Sequence, residues 1–376
     1  MHPDLVAQVL DLAIAIQQIP APTFGEGRRA AFVYERFCQE GLSDACVDSL
    51  GNVYARLPGA GTQLPLVVSA HLDTVFPEGT LLQVDRQAGK IRAPGIGDNS
   101  LGVAGLFGLL WALRRRSNGI ASSGSSGLPG DLWLVANVGE EGMGNLRGMR
   151  AVVERFAKQV KAYLILEGMA LGQIYHQGLS VKRYRITANT PGGHAWVDYG
   201  QPSAIHELAA LVTRLSAIQL PTRPRTSLNV GTISGGTTVN SIAALAECLL
   251  DLRSEDQEAL VRLSQRVEAL VASGDRTNVR LAWEVVGERP AGKLPVDHRL
   301  VRLATRCLER QGVKALPNIG STDANIPLSL GIPAVCVGLT HGGNAHTPEE
   351  FIYVEPLAQG LTALVDLVEG IYQIEF

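Results

Sequence analysis

Leu66-Val67-Val68-Ser69-Ala70-His71-Leu72-Asp73 reads as an apolar strand, predicted over 64–69, that runs into an imidazole and a carboxylate. A strand without polar alternation is buried on both faces, the habit of a parallel sheet covered by helices. The pattern recurs downstream. Leu134-Val135-Ala136-Asn137-Val138 leads into Glu140-Glu141-Gly142, Tyr163-Leu164-Ile165-Leu166 leads into Glu167-Gly168, and an apolar run over 334–338 precedes His346. Gly97-Asp98-Asn99 stands in a glycine-rich turn ahead of a helix. In an open parallel sheet, ligands bind in the crevice beyond the carboxyl ends of the strands. Two histidines and several carboxylates gathered there form the nitrogen and oxygen donor set of zinc-type divalent cations.

Between these strands the periodicity becomes helical. Leu5, Val9, Leu12 and Ile16 share one face of a helix predicted over 4–18, which Pro20-Ala21-Pro22 stops. A second helix is predicted over 26–39, with Gly41 as its left-handed cap. Residues 102–116 read as a buried helix in which Gly105 and Gly108 allow close packing, and another is predicted near 145–156. The Ser- and Gly-rich run over 117–130 reads as a flexible exposed loop inside one domain, because 131–138 at once supplies another apolar strand. After Gln177 the character changes. Residues 181–188, 227–233 and 279–285 alternate polar and apolar, the period of half-exposed antiparallel strands, with amphipathic helices over 203–218 and 255–272 between them. From Val296 the first pattern resumes. The expected fold is therefore α/β, a mainly parallel sheet with helices on both faces. Its first part is expected over 1–177 and its second over 290–376, with an α+β sandwich inserted at 178–289.

Composition limits the partners. The 376 residues are 46% hydrophobic and 18% charged, too apolar for disorder and sufficient for a large core. With 33 basic and 36 acidic residues the formal net charge is -3, which gives no footprint for nucleic acid or an anionic membrane. No uninterrupted apolar run approaches the ~18 residues that cross a bilayer. Met1-His2-Pro3-Asp4 lacks a basic n-region, and the five scattered cysteines contain no CxxC pair, so they read as reduced and mostly buried. A cytoplasmic protein with neither nucleic-acid nor membrane partner is expected.

The segments Ser69-Ala70-His71-Leu72-Asp73-Thr74-Val75, Gly95-Ile96-Gly97-Asp98-Asn99, Gly139-Glu140-Glu141-Gly142, Leu166-Glu167-Gly168 and Ala345-His346-Thr347 together resemble the M20 metallopeptidases. That family includes glutamate carboxypeptidase, acetylornithine deacetylase, succinyl-diaminopimelate desuccinylase and peptidase T. The resemblance runs through almost the whole chain in order and extends to Gly192-Gly193-His194-Ala195 and Asn240-Ser241-Ile242, which resemble the family's lid motifs. It implies a zinc exopeptidase-like fold whose inserted domain is a lid and dimerisation module. It implies two divalent metal ions, zinc foremost with cobalt or manganese as alternatives. Asp98 would bridge them, with His71 and Glu167 completing one shell and Glu141 and His346 the other. The peptide bond after Asp98 is expected to be cis. Asp73 would orient His71, and Glu140 would act as general base on the attacking water. His194, acting on the neighbouring subunit of a homodimer, would donate to the oxyanion, while Asn240 and Arg253 would contact substrate. Ser321-Thr322-Asp323-Ala324-Asn325 resembles a family loop beside the site.

The expected activity is hydrolysis of the amide bond of a small peptide or N-acyl amino acid. The alternative is a non-catalytic metal- or peptide-binding relative of the same fold, against which stands the presence of Glu140 beside all five ligands. Glu167 and Arg253 favour a carboxypeptidase or deacylase, whereas Asp323-Ala324-Asn325 with His346-Thr347 resembles the tripeptidase-like branch.

Overall fold

The protein is represented by a computed structural model that describes residues 1–42, 44–116 and 127–375. The chain forms two compact units, Met1–Gly178 with Gly292–Phe376, and Leu179–Ala291.

The first unit is built on a nine-stranded sheet. Four strands at its centre, Leu132–Asn137, Leu66–His71, Ala162–Glu167 and Ala334–Gly338, are mutually parallel. Leu66–His71 and Ala334–Gly338 are buried at every position, so both faces of the sheet are covered. Antiparallel pairing begins only outside this group, where Val53–Leu57 joins Leu132–Asn137 and Gln173–Gly178 joins Ala334–Gly338. Helix Leu101–Arg116 packs with Pro3–Gln17 and Leu357–Ile371 in the same core. A Cβ on Gly105 would lie 2.3 Å from Leu339 Cδ1, so this glycine lets the Leu339 side chain pack directly on the helix. The segment Ile96–Arg116 is long and apolar enough to cross a membrane, yet 89% of its most apolar 18-residue window is buried, and the core accounts for its composition. Each fully buried Leu or Phe along it contributes roughly 1.5–3 kcal/mol relative to exposure.

Element ends moved by a few residues. The first helix is Pro3–Gln17, capped by His2, whose Nδ1 accepts from the Asp4 backbone N–H. The strand read over 64–69 is Leu66–His71, so His71 is itself its last residue. The loop expected over 117–130 falls largely outside the described residues. All five cysteines are free, and Cys248, Cys307 and Cys336 are buried. Cys38 is exposed instead, because it lies off the apolar stripe of helix Gly27–Gln39. The sequence reading did not anticipate a small antiparallel sheet of Gly342–Gly343, Phe351–Tyr353, Lys90–Arg92 and Asp85–Gln87.

The second unit is a four-stranded antiparallel sheet in the order Thr226–Gly235, Leu245–Ser254, Ser180–Asn189, Arg280–Arg289. Leu245–Ser254 buries alternate residues, and helices Ala204–Ser216 and Gln257–Ala272 cover its buried face through Leu208, Leu211, Leu263 and Val267. A separate two-stranded pair, Gly193–His194 with Ser241–Ile242, sets His194 opposite Ser241.

Candidate metal centre

Five donors reach one place in the first unit from five separate segments. His71 ends strand Leu66–His71 and Glu167 ends Ala162–Glu167. These strands run parallel in a register that pairs Ser69 with Ile165, so their ends come level two residues further on. Glu141 caps the short turn Gly142–Gly144 that follows strand Leu132–Asn137. Asp98 lies in Ile96–Ser100 ahead of the buried helix, and His346 lies between the short strands Gly342–Gly343 and Phe351–Tyr353.

Asp98 joins them. Its Oδ1 is 3.1 Å from His71 Nε2, and its Oδ2 is 3.1 Å from His346 Nε2. Glu167 Oε2 stands 3.7 Å from His71 Nε2, and Glu141 Oε1 stands 3.2 Å from His346 Nε2. Within each group of three the donor atoms lie within 4.8 Å of one another. Two groups thus share one carboxylate, one oxygen apiece. That arrangement suits a pair of divalent cations with nitrogen and oxygen ligands.

The charge balance agrees with that fit. Burial raises the Glu141 carboxyl and pushes Glu167 up to about 7, with Asp98 and Glu140 adding to the repulsion. Burial also opposes charge on Asp98, but its two imidazole partners outweigh this and hold it below the usual carboxylate range. Burial disfavours a charged His71 ring, yet hydrogen bonds with Asp73, Asp98 and Glu167 lift its pKa well above the ordinary value. Hydrogen bonds with Asp98 and Glu141 push His346 up to about 10. Divalent cations bound among these groups would displace protons from the two rings.

The donors are held from behind. His71 Nδ1 lies 3.0 Å from the backbone carbonyl of Asp73, a contact that puts the ring's proton on Nδ1 and leaves Nε2 facing Asp98. The Asp73 carboxylate, expected in this role, stands on the same side of the ring, its Oδ1 3.5 Å from Nδ1, and is anchored in turn. Its oxygens accept the backbone N–H groups of Glu140 and Glu141, each at 2.9 Å, and the Thr23 hydroxyl at 2.9 Å. Burial raises the Asp73 carboxyl, but its hydrogen bond and charge attraction with the His71 ring, joined by the Glu141 and Glu140 N–H bonds, hold it below its ordinary pKa. The Asp98–Asn99 peptide bond is cis. Asn99 ties this turn to the Glu167 strand, donating to Leu166 O at 2.8 Å and accepting from Gly168 N at 2.9 Å. Glu350 ties it to the His346 segment, where its Oε1 accepts the N–H groups of Gly97 and Asp98 at 2.7 and 2.9 Å. A Cβ on Gly168 would lie 2.3 Å from Gly97 O, so only glycine lets these two turns meet.

Glu140 is buried beside the donors, and its charge contributes to raising Glu141, Glu167 and Asp323. Asp323, in the loop 321–325, is fully buried, accepts Asn137 Nδ2 at 2.7 Å and is pushed up to about 8 by burial. Sequence reasoning assigned no role to Thr23, Asn99, Glu350 or Arg29. The buried Arg29 guanidinium donates to the carbonyls of Ile19 and Leu72, fixing the backbone between His71 and Asp73. Only the acidic pair after His346-Thr347-Pro348 offered a signal, since it sits inside the motif that carries the histidine.

Three predicted residues belong to the second unit. His194 is exposed, and its Nδ1 accepts the N–H groups of Trp196 and Val197 at 3.2 and 3.3 Å, which places a ring proton on Nε2. Asn240 is exposed in the turn before Ser241–Ile242, and its carbonyl accepts Ala195 N at 3.0 Å. Arg253 is engaged by Asp251, with Nε 2.7 Å from Oδ1.

The chain is 28% identical to acetylornithine deacetylase of Proteus mirabilis (strain HI4320) over 336 residues, 84% of this chain and 82% of that protein. Its fold matches a tripeptidase from Staphylococcus aureus with a TM-score of 0.78 and 20% identity, covering 98% of this chain and 99% of the other. It also matches the YXEP protein of Bacillus subtilis, a dinuclear metal binding peptidase from the M20 family, with a TM-score of 0.66, 18% identity and 99% of both chains covered. The family described as peptidase family M20/M25/M40 matches residues 67–370, a span that contains all five donors and Glu140. By that match, the chain belongs to peptidase family M20/M25/M40 and is a hydrolase acting on amide bonds.

Proposed function

We propose that this chain cleaves the amide bond of a small peptide or N-acyl amino acid, using two divalent cations and Glu140 as general base. The observation that carries the proposal is the Asp98 carboxylate, whose two oxygens face two separate donor groups. His71, Asp98 and Glu167 would hold one ion, and Asp98, Glu141 and His346 the other. Bound cations, zinc first and cobalt or manganese as alternatives, would polarise the scissile carbonyl and acidify the attacking water. Glu140 takes the proton from that water as its oxygen adds to the carbonyl carbon. It then gives the proton to the leaving nitrogen as the carbon–nitrogen bond breaks, and the water's second proton passes to the amine as well, releasing a carboxylate and an ammonium. Asp73 sets the geometry by fixing the backbone of Glu140 and Glu141. Asn240 and Arg253 are assigned to the substrate, Arg253 to its free carboxylate in exchange for Asp251. A cytoplasmic setting goes with this reading, supported by five cysteines that form no disulfide.

The test is hydrolysis of a panel of dipeptides, tripeptides and N-acyl amino acids by metal-reconstituted protein. We expect cleavage within at least one class, its loss on chelation and its return with zinc, cobalt or manganese. Protein carrying two ions that cleaves nothing in the panel refutes the proposal.

We further assign Leu179–Ala291 as a lid and dimerisation domain that presents His194 to the partner subunit's site. With Nδ1 accepting two backbone N–H groups, the Nε2 proton is suited to an oxyanion. Around it, Trp196 and Tyr199 are 86% and 90% exposed, the kind of apolar surface that marks an interface. Mixing Glu140→Gln with His194→Ala protomers, each nearly inactive alone, should restore activity in hybrid dimers that hold one fully unmutated site. A mixture that stays inactive after demonstrated subunit exchange rules out action across the interface.

A further inference from the structure

Asp73 is the meeting point of three loops. Thr23 reaches it by its hydroxyl, Glu140 and Glu141 by their backbone N–H groups, and Thr74 follows it in the chain while donating to Ala21 O at 2.9 Å. Each loop also puts one large apolar side chain into water: Phe24 is 60% exposed, Val75 39% and Met143 40%. Single exposed apolar residues need no explanation, but three on loops knotted to one buried carboxylate beside a general base do.

Phe24 is the most constrained of them. Its φ of 74° is the left-handed region, which a bulky aromatic residue adopts only where its surroundings enforce it, at roughly 1–3 kcal/mol. No core packing compensates, because the ring is largely exposed. Instead it covers the Arg147 guanidinium, 4.8 Å from the ring centroid. Arg147 is held by Glu26 at 3.1 Å, and Glu26 Oε1 also accepts the N–H of Gly139, the residue before Glu140, at 3.1 Å. A Cβ on Gly139 would lie 2.7 Å from Arg147 Cγ, so the guanidinium arm lies directly on this turn. The ring, the cation and the turn that carries the base form one packed stack.

We infer that Phe24, Val75 and Met143 form an apolar subsite that receives an apolar side chain flanking the scissile amide. The inference rests on the hydrolase reading above and narrows its substrates. The occupant follows from place and chemistry. The rim adjoins the turn of Glu140, the residue assigned to the atoms of the scissile bond. It offers an aromatic face, a branched aliphatic group and a thioether, and the Arg147 cation lies beneath the ring.

The experiment compares paired substrates that differ only in leucine against glycine, on either side of the scissile amide, for wild type, Phe24→Ala and Phe24→Leu. On one side of the amide, wild type should prefer the leucyl compound. The leucyl-to-glycyl ratio of kcat/KM should fall about 10-fold or more in Phe24→Ala, the range for losing one apolar contact, and largely recover in Phe24→Leu. The ratio cancels a general loss of folding or of metal. A wild-type preference for glycine on both sides, or a ratio within about twofold of wild type in Phe24→Ala, overturns the subsite. If wild type cleaves no compound, the hydrolase reading fails instead. The subsite is then judged by calorimetric binding of the same pairs, where equal affinity for leucyl and glycyl compounds overturns it and preference for leucyl supports it.

Discussion

Glu140→Gln is expected to lower kcat by at least about 10²-fold while the protein keeps both cations, the effect of removing a general base that is not a ligand. The amide is nearly isosteric with the carboxylate, and the backbone bond from Glu140 N–H to Asp73 does not involve the side chain. The turn should therefore stay in place. Glu140 lies outside both donor groups, so neither ion loses a contact. What disappears is the proton affinity needed to deprotonate water and protonate the leaving nitrogen. Because that transfer occurs only in the transition state, kcat and kcat/KM should fall together and KM should hardly move. Glu141→Gln is the contrast, since it weakens a donor next to His346 and should reduce metal content. Metal analysis showing an ion lost from Glu140→Gln would reverse the roles of the two neighbouring glutamates.

The donors were legible because their signal is local and chemical. His71, Glu141 and Glu167 each stand at or just beyond an apolar strand, and a strand end is where a parallel sheet presents chemistry. The structure brings these three together with Asp98 and His346. Their supports left no such trace. Glu350 acts on the amides of Gly97 and Asp98 across some 250 positions of sequence, and Arg29 acts on the carbonyl of Leu72. A side chain that bonds to backbone selects no partner residue type, so nothing in the partner's sequence announces it. The small sheet that carries His346 was hidden for a different reason. Its strands have two or three residues, too few for a period of two to show. Asp73 shows the limit of spacing arguments. Two residues after His71 is close enough for both its carbonyl and its carboxylate to face the ring, at 3.0 and 3.5 Å, and spacing does not tell that the same carboxylate also holds the Glu140 and Glu141 amides.

Asp98→Asn should have the larger effect, because it acts on both ions together. The carboxylate presents Oδ1 toward His71 and Oδ2 toward His346, each at 3.1 Å, whereas an amide has one oxygen and an NH₂ group with no lone pair for a cation. At most one donor group can then keep its third ligand, and the negative charge shared by the two cations is gone. The backbone has reason to hold its shape. Glu350 grips the amides of Gly97 and Asp98, and Asn99 bridges to Leu166 and Gly168, all without the Asp98 side chain. Fewer than two ions per chain should remain after desalting, and activity should fall by about 10³-fold or more, since polarisation of the carbonyl and acidification of the water are lost together. Replacing His71 or His346 by alanine removes a donor from one group only, so each should deplete one ion and leave the other measurable. The pattern of three metal contents, rather than any single value, tests the bridge. If Asp98→Asn keeps two ions at wild-type affinity, Asp98 does not bridge. If either histidine variant loses both ions as completely as Asp98→Asn, the two groups are not separate sites joined through one carboxylate.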